Sequence, residues 1–366
     1  MSRHVPRRVP SHPRTDPALH LCSSTLAKSP VVIENAPMLH PKKSLTFPEH
    51  LQYIAEGVYL WDTHAEKGRW GEANCVLLVS GGEAALVDTP YDEAMTRALQ
   101  AAAAKVLPTD TTIDTVINTH ANGDHCFGNA YFPGARIISS ATNAEHLCHE
   151  PGPADMHRLV NGSDPDTPMG WYARQKFGHY DYENVSLVGP TDTFRDNRAV
   201  RVGGMDVQLF EVGPAHTAGD VIAWIKSRDV VVAGDILFNG DHPAHWNGPL
   251  RNVVAAVDAI LELRPRVIVP GHGRPMTAAE AHAHREYLTE LERLIHQHHL
   301  AGTGAYDAAS SIIDSGFYSH LGAVERIAIV TAAEYAHLDG KEPLGAVALA
   351  EHAARFAWER RDLVPA

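Results

Sequence analysis

The sequence predicts a layered α/β fold that gives way to helix alone after about residue 277. Three observations carry this. Apolar runs of strand length alternate with helical stretches, the runs end in polar clusters rich in His and Asp, and beyond residue 277 the apolar residues recur at helical steps. Residues 58–61, 75–79 and 85–87 read as strands separated by glycine-containing turns. The stretch 93–106 is Ala-rich and helical in composition. Residues 115–118 form a buried strand that opens into a His/Asp-rich loop, and further strand runs lie at 135–139, 207–212, 221–225, 230–233 and 267–269. In the last part Tyr287, Leu288, Leu291, Leu294 and Ile295 make one apolar stripe, and helices are expected around 323–338 and 343–359, with breaks at Gly302, Gly304 and Gly340. That stripe is too apolar to face water, so the segment either covers the sheets or forms a homodimer interface.

Composition bounds the function. The chain has 366 residues, 44% hydrophobic and 20% charged, which suits a globular protein with a full core and excludes wholesale disorder. A formal charge of −13 argues against a nucleic-acid partner, and no apolar run reaches the 18 or so residues of a membrane span. Cys22, Cys75, Cys126 and Cys148 are widely spaced and form no CxxC pair, so no disulfide framework is expected and a reducing cytoplasm fits. Residues 1–45 carry +5 and the rest −18; this Arg-, Pro- and His-rich stretch reads as a disordered tail. Residues 19–22 are too short and polar for a signal-peptide core, and Met38 is an alternative start. The expected division is therefore a tail (1–45), an α/β domain (46–277) and a helical C-terminal extension (278–366).

The chemistry concentrates in Asn118-Thr119-His120-Ala121-Asn122-Gly123-Asp124-His125. A strand ending in a tight loop projects imidazole and carboxylate, the donors that zinc or iron takes. Three later segments each put His or Asp after an apolar run: His216 within residues 211–220, Asp235 after 231–234, and His272 after 267–271. Sites in layered α/β folds assemble at strand ends, and neighbouring glycines let the backbone turn sharply there.

This ordered array resembles the metallo-β-lactamase superfamily, whose signature is an HxHxDH loop, a later His, an Asp after a strand and a final Gly-His; the resemblance spans about residues 51–275. It implies an αββα sandwich with the site at one edge, usually holding two metals, zinc foremost with iron not excluded. By that likeness His120, Asn122 and His216 make the first metal site, and Asp124, His125 and His272 the second, with Asp235 bridging. Asp88 matches the Asp that often precedes the signature. Asn122 stands where the family has its second His, and a neutral amide is the weaker donor, so the first site is expected to be impaired unless the amide contacts water or substrate instead.

A divalent ion lowers the pKa of a bound water towards 7, and Asp124 is the expected proton shuttle. The resemblance implies a hydrolase of an ester, thioester, lactone or similar acyl bond. Alternatives are a mononuclear iron dioxygenase of the same superfamily or a metal-binding protein without turnover. Asp220 reads equally as a carboxylate orienting an imidazole or as a structural bond. Asn239, His242, His245 and Trp246 are candidate substrate contacts. Trp171, Tyr172, His179 and Tyr180 belong to an insertion read as a lid or as a surface excursion. Cys126 is assigned to the core, and His296, His298 and His299 to a solvated helix face.

Overall fold

The computed structural model describes residues 47–63 and 70–361. The tail assigned to residues 1–45, with Cys22 and Met38, lies outside the described residues. Two sheets lie face to face with helices on both outer sides. The first sheet runs in chain order: β1 (Gln52–Ala55), β2 (Val58–Trp61), β3 (Cys75–Ser80), β4 (Glu83–Val87), β5 (Ile113–Ile117), β6 (Arg136–Ser140) and β7 (Asp192–Phe194). Its first four strands are antiparallel and its last four parallel, β4 belonging to both sets. The second sheet holds β8 (Asn197–Val202), β9 (Met205–Glu211), β10 (Val221–Ile225), β11 (Val230–Phe238) and β12 (Val267–His272), antiparallel except for the β11–β12 pair.

The strands read as continuous apolar runs because both faces are covered. Along β3, Val76 and Leu78 point between the sheets, where they meet Val207, Leu209 and Val232. Cys75 and Leu77 point outward to Met95 and Leu99 of α1 (Glu93–Ala103). Asp92 caps α1, its carboxylate accepting from the Met95 N–H. Parallel pairing starts where α1 crosses over from β4 to β5. The loop after β5 then turns through α2 (Gly123–Cys126), and β6 leads into α3 (Ala141–His146).

Residues 153–177, read as part of a polar insertion, are in fact two helices, α4 (Pro153–Gly162) and α5 (Pro168–Phe177). Each begins with proline after a residue in extended conformation, and α5 has little amphipathic patterning to mark it. Strands β1, β7 and β8 also escaped the sequence reading; they are short or half-exposed segments at the sheet edges.

Over the second sheet lie α6 (Leu250–Glu262), α7 (Ala278–Leu300), α8 (Ala305–Asp314), α9 (Arg326–Leu338) and α10 (Ala346–Glu359). A capping box of Thr277 and Glu280 starts α7. Leu288, Leu291 and Ile295 are wholly buried with Val253 and Val257 of α6 and Ile268 of β12. The stripe is thus covered within the chain and is not available to a second copy. His296 and His299 do not form a solvated face: their Nε2 atoms sit 2.8 Å from Glu334 Oε1 and Asp339 Oδ1, tying α7 to α9 and its C-terminus. No helix among the described residues is long and apolar enough to cross a membrane.

Leu291→Ala should cost about 2–5 kcal/mol of unfolding free energy, read from urea or guanidinium melts, because its neighbours on α6 and β12 cannot follow the lost volume. Exposed Leu300, at the end of the same helix, should change stability by less than about 0.5 kcal/mol on the same substitution.

Candidate metal centre

All seven candidate ligands come together at one edge of the sandwich. Four lie on the loop after β5 and on α2; the others come from the 213–220 loop (His216), β11 (Asp235) and the end of β12 (His272). Asp235 is at the middle. Its Oδ1 is 3.2 Å from His125 Nε2, and its Oδ2 is 3.3 Å from both His216 Nε2 and His272 Nε2 and 3.9 Å from His120 Nε2. Asp124 Oδ2 lies 3.5 Å from His272 Nε2 and 3.9 Å from His125 Nε2. Asn122 Oδ1 is 2.9 Å from His216 Nε2. Donor atoms of His120, His125 and Asp235, and those of Asp124, His125 and His272, fall within 4.8 Å of one another. The first of these groups pairs His120 with His125; His216 joins it through Asp235, and Asn122 through His216.

Local backbone explains the convergence. The β11–β12 ladder breaks at Gly234, whose φ of +53° suits glycine, and a side chain there would strike Thr119. This turns the Asp235 carboxylate over Gly271, where a β-carbon would sit 1.7 Å from Asp235 Oδ1. Asn74 holds the following loop, donating from Nδ2 to the carbonyls of Pro270 and Gly273 at 2.8 and 2.7 Å.

The imidazoles are oriented from behind. Asp88, buried and with a φ of +62°, accepts from the Thr119 N–H and hydroxyl at 2.7 Å each and from His125 Nδ1 at 2.8 Å. Because the Thr119 proton goes to Asp88, its oxygen accepts from His120 Nδ1 at 3.0 Å. His272 Nδ1 faces the Glu72 carbonyl at 3.3 Å. In all three rings the Nδ1 proton is thereby fixed and Nε2 turned inward, as a metal requires. Asp220 settles as a loop-holding bond: it accepts from the Ala215 and Thr217 N–H groups and, at 2.6 Å, from the Thr217 hydroxyl, shaping the turn that carries His216. Burial pushes its carboxyl up to about 7.

The electrostatics ask for positive charge here. Burial, with His125 nearby, lowers His120 to about 3, and burial holds His216 well below the usual imidazole range. His125 goes the other way: burial opposes its charge, but Asp235, Asp88 and Asp124 outweigh it and hold its pKa well above the ordinary value. Burial likewise opposes charge on Asp235, yet His272, His125 and His216 keep it ionised. The buried Nε2 atoms of His120 and His125 and Oδ1 of Asp235 face one another without hydrogen bonds. Such a nitrogen and oxygen donor set fits a divalent cation, which would take the place of the proton that His125 otherwise holds. Cys126 takes no part: it is buried, its thiol is directed to the Ala121 carbonyl, and burial raises its pKa.

The centre floors a cleft that opens to solvent and whose walls come from far along the chain. Met156 and Leu159 of α4, Phe177 of α5 and Val347 of α10 line it with apolar surface together with Trp70 and Trp246, the Trp70 and Phe177 rings lying 5.7 Å apart. The insertion is therefore a wall of the site: Tyr172 lines the cleft, with its hydroxyl 3.2 Å from Glu325 Oε1, and Tyr180 donates to the Trp70 carbonyl at 2.5 Å. Trp171 and His179 stand behind, against Trp358 and Tyr180. Of the four weaker substrate candidates, Trp246 borders the cleft. Asn239 instead donates to the Arg274 carbonyl at 3.1 Å, His242 is buried 2.8 Å from the Tyr287 hydroxyl, and His245 is buried behind His216. Two charged residues of the cleft carried no signal in the sequence. Glu150, in a loop without a motif, accepts from Asn122 Nδ2 at 3.2 Å, and burial raises its carboxyl to about 7. Arg326, buried at the start of α9, stacks its guanidinium 4.2 Å from the Trp70 ring centroid.

Gly271→Ala should displace Asp235 and at least halve the metal bound per chain, measured by elemental analysis, while circular dichroism shows the fold retained. Full metal content in this variant contradicts the central place of Asp235.

A family model described as the metallo-beta-lactamase superfamily matches residues 68–272. Metallo-beta-lactamase type 2 of Bacteroides fragilis is 24% identical over 227 residues, 60% of this chain and 77% of that protein. The human acyl-coenzyme A thioesterase MBLAC2 is 25% identical over 163 residues, 43% of this chain, which spans only 54% of that protein. Among solved structures, a double mutant of the sec-alkyl sulfatase PisA1 superposes with a TM-score of 0.58 at 16% identity, covering 78% of this chain and 50% of that one, a likeness of fold. With the layered sandwich, the convergent donors and a family match over more than half its length, the chain belongs to the metallo-beta-lactamase superfamily.

Proposed function

We propose that this protein is a metal-dependent hydrolase, holding one or two zinc ions, that cleaves an ester, thioester or lactone whose acyl part carries an apolar arm. The observation that supports it most is the set of inward-facing, unbonded donor atoms at the floor of an apolar cleft. The named activities of the superfamily relatives, a lactamase and an acyl-coenzyme A thioesterase among them, point the same way. In this reading His120, Asn122 and His216 hold one ion, Asp124, His125 and His272 the other, and Asp235 faces both. A divalent ion bound there makes water a nucleophile near neutral pH and polarises the carbonyl under attack.

The chain's own residues do the remaining work. Asp88, Thr119 and the Glu72 carbonyl keep three imidazoles in one tautomer, so the donors are set before any ion or substrate arrives. Asp124 lines the cleft, and its carboxylate can take a proton at Oδ2 and return it to the leaving oxygen or sulfur. Trp70, Trp246, Phe177 and Val347 exclude water from one side and offer surface to an acyl chain.

Turnover of a graded series of nitrophenyl esters and acyl thioesters tests this, together with metal analysis. KM should fall about fourfold for each added methylene the cleft buries, from roughly 0.8 kcal/mol apiece. Asp124→Ala and His272→Ala should each lose at least about 10²-fold in kcat/KM. A chelator should abolish turnover and zinc restore it; undiminished activity in the metal-free protein rejects the reading.

A further inference from the structure

We propose that Glu150 is a positioning residue that turns Asn122 into a metal donor, so that an amide backed by a carboxylate serves at this position of the centre. The inference rests on the metal-centre reading above and adds to it a residue from outside the ligand loop.

The two ends of a side-chain amide have nearly the same shape but opposite polarity. If the NH2 of Asn122 faced the centre, it would present hydrogens to a cation. Glu150 meets the amide at Oε2, an oxygen that accepts, so the NH2 end is drawn to it and the amide oxygen is left to the centre. Asn122 Nδ2 donates to Glu150 Oε2 at 3.2 Å, and the amide oxygen is thereby turned to His216 Nε2 at 2.9 Å. Asp235 Oδ2 approaches the same nitrogen at 3.3 Å, so three donor atoms from three segments gather at one point. The bond from the amide N–H to a carboxylate also draws negative charge towards the amide oxygen, raising its strength as a donor. Glu150 is well situated for this. It lines the cleft beside Asn122, just before Pro151 and the start of α4, so its backbone is held by the wall and not by the ligand loop.

Zinc affinity measured by competition with a chromophoric chelator tests the pairing without reference to turnover. Glu150→Ala should raise the dissociation constant of the weaker ion about 10- to 100-fold with the melting temperature little changed. Glu150→Gln, similar in size and still able to accept from Nδ2, should lie between that value and the wild type, and it keeps the test open if the Ala variant folds poorly. In an Asn122→Ala background the further change Glu150→Ala should matter less than about threefold, because nothing remains to be oriented. An unchanged dissociation constant in both Glu150 variants, or an equal loss with and without Asn122, overturns the proposal. Wild-type protein that binds no zinc overturns this and the proposed function together, whereas zinc-loaded protein that hydrolyses none of the esters rejects hydrolysis alone.

Discussion

The structure depends on keeping one carboxylate charged inside the protein. Asp235 is buried, and taking its charge out of water costs several kcal/mol unless positive charge lies beside it. Four imidazoles from three other segments surround it, His125 held charged and His120 and His216 neutral, which ties the ends of both sheets to the same point. Much of the local sequence serves that arrangement. Gly271 leaves room for the carboxylate, Gly234 supplies the turn, and Asp88 sits in a strained conformation that binds Thr119 and His125 at once. The strain and the buried charge are held by rigid strand ends on either side, so the donors are organised by the fold and not by flexible loops.

The helices after β12 are part of the same device. Leu288, Leu291 and Ile295 seal the outer face of the second sheet. A buried carboxylate ties that layer together: Glu334 accepts from the Leu250 N–H at the start of α6 and from His296. This fixes α9, whose first residue, Arg326, reaches the cleft between Trp70 and Phe238. The route from a helical stripe to the shape of a binding cleft is thus continuous packing.

The sequence was readable where chemistry and periodicity coincide. Runs such as 75–79 and 230–233 are apolar on both faces and mark buried strands, and His120, Asp124, His125, His216, Asp235 and His272 announce themselves as imidazole and carboxylate at strand ends. The seven candidates are brought together, although no local signal told how His216 would lie against Asn122. What stayed hidden depends on long-range contact. His242 and His245 looked like substrate contacts because the loop after Asp235 is near the site, but one binds Tyr287 and the other packs behind His216. Glu150 and Arg326 are single residues in unremarkable surroundings that matter only through neighbours distant in sequence. Likewise α5 lacks a strong apolar stripe, since its burial is shared with α10 and with aromatic residues from other segments.

The wall formed by α5 and α10 has a consequence for how such a protein diversifies. Its floor is written in strand ends that tolerate almost no change, since each donor is bound to several partners. Its wall is a contact between two helices, Tyr172 on one and Leu349 and Ala353 on the other, that share the cluster with Trp70 and leave Val347 at the cleft's rim. Helix–helix contacts accept swaps of similar volume at small cost. Residues 346–350 can therefore change shape with little disturbance of the donors beneath, so the contour of the cleft and the geometry of its floor are set by different parts of the chain.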